Sequence, residues 1–240
     1  DHNPEFTMLE CYAAYTDYRW MMDFTERLVR TVVAAIHGGT SITYVDQLID
    51  VQQPYPRRSY ASLIQDRTQI DINHSSDTEL REKATSLGIE LDEKMSRPKI
   101  IDEIFTSRVR PTLIQPTFVF DYPTDMIPLA KATEDNPNYV ECVQLLLGGT
   151  EVTKAFSELN DPVEQRERFQ AQEALRANGD DEAQRIDEAF LQSLEYGMPP
   201  TGGLGIGIDR LVAIVLNQKA LKDIILFPTM KPEIDNHDAV

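Results

Sequence analysis

A chain of 240 residues with 41 % hydrophobic content is enough for one domain with a sizeable core. Its 40 acidic and 23 basic side chains leave a net charge of −17, which excludes a free-standing nucleic-acid binder with a basic face; any RNA contact needs a local patch or another segment. Two cysteines, Cys11 and Cys142, make no disulfide framework, the scattered His2, His37, His74 and His237 have no zinc-ligand spacing, and neither a signal peptide nor a membrane-length apolar run is present, so the expected compartment is the cytoplasm.

The text HNPEFTMLE begins at once, without an initiator methionine, and the start reads as a cut. Residues 5–14 (EFTMLECYAA) read as a strand on which Phe6, Met8, Glu10 and Tyr12 share one face. A carboxylate beside a phenol can hold an ammonium group, and an aromatic two steps along can lie against a flat ring. The same pattern also suits a half-buried strand with Phe6 and Tyr12 in the core. Thr16 or Asp17 then caps a long helix with the apolar stripe Met21, Phe24, Leu28, Val32 and Ile36, stopped by Gly38-Gly39. Residues 42–58 read as irregular, followed by short helices near 59–67, 76–87 and 98–109. The polar texture of about 54–112 suggests a helical insertion packed beside a core.

From residue 115 the pattern changes. QPTFVFDYP is a strand, and YVECVQLLL and TEVTKAFSEL flank Gly148-Gly149, a strong two-residue hairpin signal. That turn pairs Leu147 with Thr150 and Leu146 with Glu151, and sets Gln144 diagonally from Glu151 within reach of one magnesium ion. Lys154, Phe156 and Glu158 share a face, but Glu151 has the opposite parity, so both carboxylates reach one cavity only if the strand bulges between them. A surface hairpin with solvated charges fits the spacing equally well. Asp161-Pro162 with Glu164 signals an N-cap, a proline at the first helical position and a capping-box acid for a helix to about Ala177. Another helix near 186–196 precedes a glycine-spaced strand, TGGLGIGI, and the helix DRLVAIVLN. Gly203, Gly205 and Gly207 leave one strand face bare for a planar ligand, and Arg210 follows to stack on a base or neutralise a phosphate; close strand–helix packing is the alternative. The spacing is not that of a dinucleotide-binding loop. One α+β domain around a mostly antiparallel sheet accounts for the whole pattern.

Together these segments resemble the class II aminoacyl-tRNA synthetases, and among them the lysine branch. HNPEFTMLECYAAY resembles the second half of motif 2 and GLGIGIDRL resembles motif 3, while LIQPTF, YPTDMIPLAK, FSELNDP, LEYGMPPT and ILFPTMKP resemble the lysine enzymes. The resemblance runs in order from residue 2 to about 232, and makes residues 1–240 part of a catalytic domain, truncated at its N-terminus. It implies a six-stranded antiparallel sheet flanked by helices, a homodimer in the complete enzyme, and magnesium-dependent activation of lysine by ATP followed by transfer to tRNA(Lys). By position it implies that His2, Phe6, Glu151, Gly207 and Arg210 serve ATP, with Phe6 on the adenine and Arg210 over it. Glu10, Tyr12, Lys154, Phe156 and Glu158 would bind lysine, Tyr12 and Glu158 at its ε-ammonium. Glu151 and Gln144 would hold magnesium, and Arg210 and Glu151 would be the catalytic groups. Such chemistry needs no general base, because the lysine carboxylate is already a nucleophile, and catalysis becomes positioning and charge neutralisation.

The chain departs from the family pattern in lacking motif 1, the motif 2 arginine and the anticodon-binding barrel, so the 240 residues alone are expected to bind ATP weakly and not to activate lysine at a useful rate. Gln144 stands where a second metal-binding glutamate is usual, and Lys154 where an asparagine usually holds the substrate. Two other readings accommodate the same text: a paralogue that attaches a lysine-like group to a protein, and a non-catalytic relic that binds ATP or lysine.

Overall fold

The computed structural model describes residues 4–93, 95–177, 183 and 185–229. Its first strand, β1 (Met8–Ala14), is three residues shorter at its start than the alternation suggested; Phe6 precedes it and is 65 % exposed. The first helix, α1 (Tyr18–His37), is capped by Asp17, whose carboxylate accepts the Trp20 N–H at 2.8 Å. It stops at Gly38, which takes the left-handed conformation (φ 65°) open to glycine. Asp17→Ala is expected to cost about 1 kcal/mol of stability, read from the midpoint of urea unfolding.

The buried stripe of α1 differs from the expected one. Tyr18, Met21, Met22, Thr25, Val29 and Val33 face the core, Phe24, Leu28 and Val32 flank it half-buried, and Ile36 is exposed. Thr25 explains much of the rotation: its hydroxyl donates to the Met21 carbonyl at 2.7 Å, so the side chain is buried with its donor satisfied. Phe24 instead stacks on Trp20 at the outer flank.

The stretch expected to be irregular contains a hairpin, β2 (Ser41–Tyr44) and β3 (Gln47–Asp50), and a short strand, β4 (Arg57–Ser59). Its turn lacks glycine: Val45 and Asp46 both adopt positive φ, 48° and 61°, a conformation branched residues rarely take. Tertiary contacts hold it, with the Val45 N–H on Asn217 Oδ1 and the Tyr44 ring against Gly148. Three short helices follow near their expected positions, α2 (Tyr60–Thr68), α3 (Asp77–Ser86) and α4 (Arg97–Ile104), the last running into a wider turn at Phe105–Val109.

The second half contains β5 (Thr117–Pro123), β6 (Tyr139–Leu147), β7 (Thr150–Ser157), α5 (Pro162–Ala177), α6 (Glu188–Glu195), β8 (Thr201–Gly207) and α7 (Ile208–Val215). Asp161 caps α5 through the Val163 and Glu164 N–H groups; Glu164, placed for a capping box, pairs with Arg168 instead. Asn178-Gly179, expected to end this helix, lies outside the described residues.

Six strands form one sheet in the order β1-β8-β7-β6-β5-β4, antiparallel except for the edge pair β4–β5. One face is sealed by α1 and α7, which pack Met21, Val29, Leu211 and Ile214 against Val143, Leu145, Ala155, Leu204 and Ile206. The opposite face is covered over only part of its width. There α2, α3 and α4 bury Tyr60, Ile64, Ile100 and Ile104 against Val119, Tyr122, Cys142 and Leu146, and no residue of β1 or β8 joins that cluster. The sheet thus ends in a half-face left open over β1 and β8, with β7 at its border, where Phe156 packs against the covered half. Among the described residues no helix is long and apolar enough to cross a membrane.

Candidate active site

The chemistry-bearing side chains gather on the open half-face. Strand register puts them there: Glu10 lies opposite Gly205 and Tyr12 opposite Gly203 across β1–β8, while Lys154 lies opposite Gly205 and Phe156 opposite Gly203 across β7–β8. Pairing of Leu147 with Thr150 and Leu146 with Glu151 follows the sequence, and the two turn glycines take φ 60° and 73°. The decisive feature is a bulge. Leu146 pairs with Glu151 but Leu145 pairs with Thr153, so Val152 is an extra residue in β7. Val152 and Thr153 both turn to the sealed side, and Glu151 comes to the same face as Lys154, Phe156 and Glu158. The condition for both carboxylates to reach one cavity is met.

At one end of this face Glu158 carries its carboxylate over Gly203. A Cβ built at Gly203 would lie 2.0 Å from Glu158 Oε1 and 3.1 Å from the Tyr12 ring. The bare strip expected to lie under a planar ligand is therefore filled at Gly203 by protein, whereas a Cβ at Gly205 would meet nothing closer than the Met8 sulfur at 3.7 Å. The Tyr12 hydroxyl donates to Glu10 Oε2 at 3.5 Å, a long contact. Burial pushes Glu158 up to about 7, and the nearby Glu10 carboxylate adds to the shift. Burial likewise raises the Tyr12 phenol, helped by Glu10 and Glu158. Two carboxylates and a phenol converge, and neither carboxylate forms an ion pair among the described residues, an arrangement that draws an ammonium group.

At the other end, Arg210 lays its stem over Gly207 and donates from Nη1 to the Glu151 carbonyl at 3.0 Å, with its guanidinium otherwise exposed. The Thr7 N–H donates to Asp209 Oδ2 and the Ile208 N–H to the Thr7 carbonyl, tying the lead-in to β1, where Phe6 stands, to the first turn of α7. Phe6 and Arg210 thus project from the same end. His2 lies outside the described residues.

Between the two ends, where the helical cover stops, Gln144 and Lys154 stand directly opposite each other. Gln144 Oε1 accepts the Tyr122 hydroxyl at 2.6 Å. Lys154 is half-buried, and its charge acts on Asp102 of α4 and on Cys142. The charge acting on Glu158 is that of Glu10. The sequence carries no signal for Tyr122 or Asp102: Tyr122 is one strand residue among several, and Asp102 sits in a helix remote in sequence from every motif.

Among the described residues no group of three or more His, Cys, Asp or Glu side chains could hold a metal ion by itself. Glu151 and the remaining lone pair of Gln144 Oε1 suit a hard cation that arrives with phosphate oxygens. They do not make a closed cage.

The description of tRNA synthetases class II (D, K and N) matches residues 1–231. The chain belongs to this family. The class II synthetase chain is 49 % identical over 232 residues to the lysine–tRNA ligase of Christiangramia forsetii, covering 97 % of its own length and 41 % of that protein. Against the lysine–tRNA ligase of Moorella thermoacetica it is 49 % identical over 233 residues, covering 97 % of itself and 48 % of that protein. The lysine–tRNA ligase of Chloroflexus aurantiacus is 46 % identical over 235 residues, with 98 % and 48 % covered. This class II chain therefore spans less than half the length of these relatives. The six-stranded sheet flanked by helices agrees with the class II architecture expected from the motifs.

Proposed function

We propose that this chain is part of the catalytic domain of a cytoplasmic lysine–tRNA ligase, which forms lysyl-adenylate from lysine and ATP and transfers the lysyl group to tRNA(Lys). In this reading the complete enzyme is a homodimer, and residues 54–112 are a helical insertion that stiffens one half of the sheet. The observation that carries the reading is the Glu158 carboxylate seated over Gly203 beside Tyr12 and Glu10. This end of the site has two anionic groups to receive a side-chain ammonium and an α-ammonium. Lysine offers both, together with an alkyl stem that Phe156 can flank. The names of the relatives support the same substrate.

ATP would lie toward Gly205, Gly207 and Arg210, with Phe6 and His2 as further contacts and magnesium on Glu151 and Gln144. Magnesium would supply neutralisation of phosphate charge. The protein's part is to present the lysine carboxylate toward the α-phosphate and to set the Arg210 guanidinium where negative charge develops. Glu151 and Arg210 are the catalytic residues in this scheme.

Lysine-dependent ATP–pyrophosphate exchange by the complete protein tests the reading, and exchange is expected with lysine and not with uncharged isosteres. The Glu151→Gln variant is expected to lower magnesium-dependent exchange by about 100-fold or more while lysine binding persists. Exchange that is independent of lysine would reject the assignment, and an unchanged magnesium dependence in the variant would reject the role of Glu151.

A further inference from the structure

We infer that Lys154 is a built-in substitute for a metal ion: its ammonium neutralises ATP phosphate charge at the middle of the site and excludes a divalent cation from the space between itself and Gln144. The inference rests on the proposed ATP and lysine site and deepens it.

Lys154 is half-buried, yet its ammonium makes no ion pair or hydrogen bond with the described residues. An ammonium held on the open strand face without an ion-pair partner is available to an anion. Asp102, whose carboxyl is raised by burial and lowered by Arg110 and Lys154, shares its influence with Arg110. The strand register sets Lys154 beside Gly205, on the stretch of floor where an added Cβ would meet only ordinary contacts, and on the same face as Glu151. The bulge at Val152 produces this proximity; without it Lys154 and Glu151 would face opposite ways.

The residue across from Lys154 decides the matter. Gln144 brings no charge, and its Oε1 is engaged by the Tyr122 hydroxyl at 2.6 Å. Directly paired strand residues stand about 4.5–5.5 Å apart at their Cβ atoms. A second divalent cation between the two would meet a neutral amide on one side and a like charge on the other, while Glu151 on the same face is committed to the ion that accompanies ATP. An anionic phosphate oxygen there meets an ammonium and the amide N–H₂ of Gln144, which are both donors. The pair Gln144–Lys154 thus favours phosphate and disfavours a second ion, and leaves Glu151, with the remaining lone pair of Gln144 Oε1, for the one ion that accompanies ATP.

Counting bound manganese in the complete protein tests this, using the loss of the free-ion spin resonance signal in the presence of lysine and a non-hydrolysable ATP analogue. The wild-type protein is expected to take up one manganese ion fewer per site than the double variant Gln144→Glu with Lys154→Asn, which replaces the amide with a carboxylate and removes the ammonium. The single variant Gln144→Glu, in which the new carboxylate pairs with Lys154, is expected to gain no ion. Lys154→Met is expected to weaken analogue binding by about 10- to 100-fold, the loss of one charge-assisted contact, with circular dichroism checking the fold. Equal manganese counts in wild-type and double variant, or unchanged analogue affinity in Lys154→Met, would overturn the inference while leaving the proposed function in place. A wild-type protein that binds neither lysine nor the analogue would overturn both.

Discussion

Replacing Gly203 with alanine is expected to eliminate lysine binding and to leave the protein folded. The backbone at Gly203 has no left-handed conformation to preserve, and alanine in a strand is favoured over glycine by roughly 0.5–1 kcal/mol. The obstacle is the carboxylate itself: the new methyl would lie 2.0 Å from Glu158 Oε1, and the far end of that side chain can swing away. Unfolding stability should therefore change little. The ammonium of a bound lysine would then lack its partner in a half-desolvated site, and stranding a charge in this way costs about 3–5 kcal/mol, or more than about a hundredfold in affinity. Isothermal titration of the complete protein with lysine, alongside its thermal melt, measures both quantities. A Gly203→Ala protein with wild-type lysine affinity would show that the Glu158 carboxylate does not hold the ammonium.

Changing Glu158 to glutamine should make the unliganded protein more stable at pH 8 and unable to bind lysine. The sign follows from the raised carboxyl, about 7 in the folded chain against an ordinary value of 4.5. The folded state favours the neutral form, so the contribution of this group is fully present below pH 4.5, and is lost as pH rises from there through about 7. Glutamine stays neutral throughout. The variant should match wild type near pH 4.5 and exceed it above pH 7; because Glu158 is only half-buried the gain is discounted to about 1 kcal/mol, or about 2–4 °C in melting temperature. Lysine binding carries the complementary pH dependence. An ammonium selects the ionised carboxylate, so wild-type affinity should fall about tenfold per pH unit below 7, with a proton released on binding. Titrations in buffers of different ionisation enthalpy detect that proton. Binding with no proton released near pH 6 would count against a raised Glu158.

Much of the fold could be read from turn and cap chemistry. Gly148-Gly149 fixed its own pairings, and Asp161-Pro162 located the start of α5, because such residues act within a few positions of themselves. The β2–β3 hairpin escaped notice for the opposite reason. Val45 and Asp46 carry no preference for positive φ, and their conformation is held by Asn217 and by the packing of Tyr44, both distant in sequence. The rotation of α1 depended on Thr25, a polar residue whose burial is paid for by a backbone carbonyl one turn earlier.

In the site, period-two alternation correctly grouped Glu10 with Tyr12, and Lys154 with Phe156. Alternation alone could not say whether Glu151 joined them, since a bulge depends on what both faces of the strand must pack. The filled space over Gly203 was equally hidden: a glycine records that an atom is missing and does not say which neighbour uses the room.

The extra residue in β7 makes the site depend on the conformation of the strand at one point. Deleting Val152 would restore regular alternation between the hairpin turn and Thr153, and every hydrogen-bonding strand could still find a partner. Glu151 would then stand two residues before Lys154, so both stay on the open face, and what is lost is the Val152 side chain packed on the side sealed by α1 and α7. What would separate the two halves of the site is straightening the bulge at full chain length, because Glu151 and Lys154 are then three residues apart in a regular strand and face opposite sides.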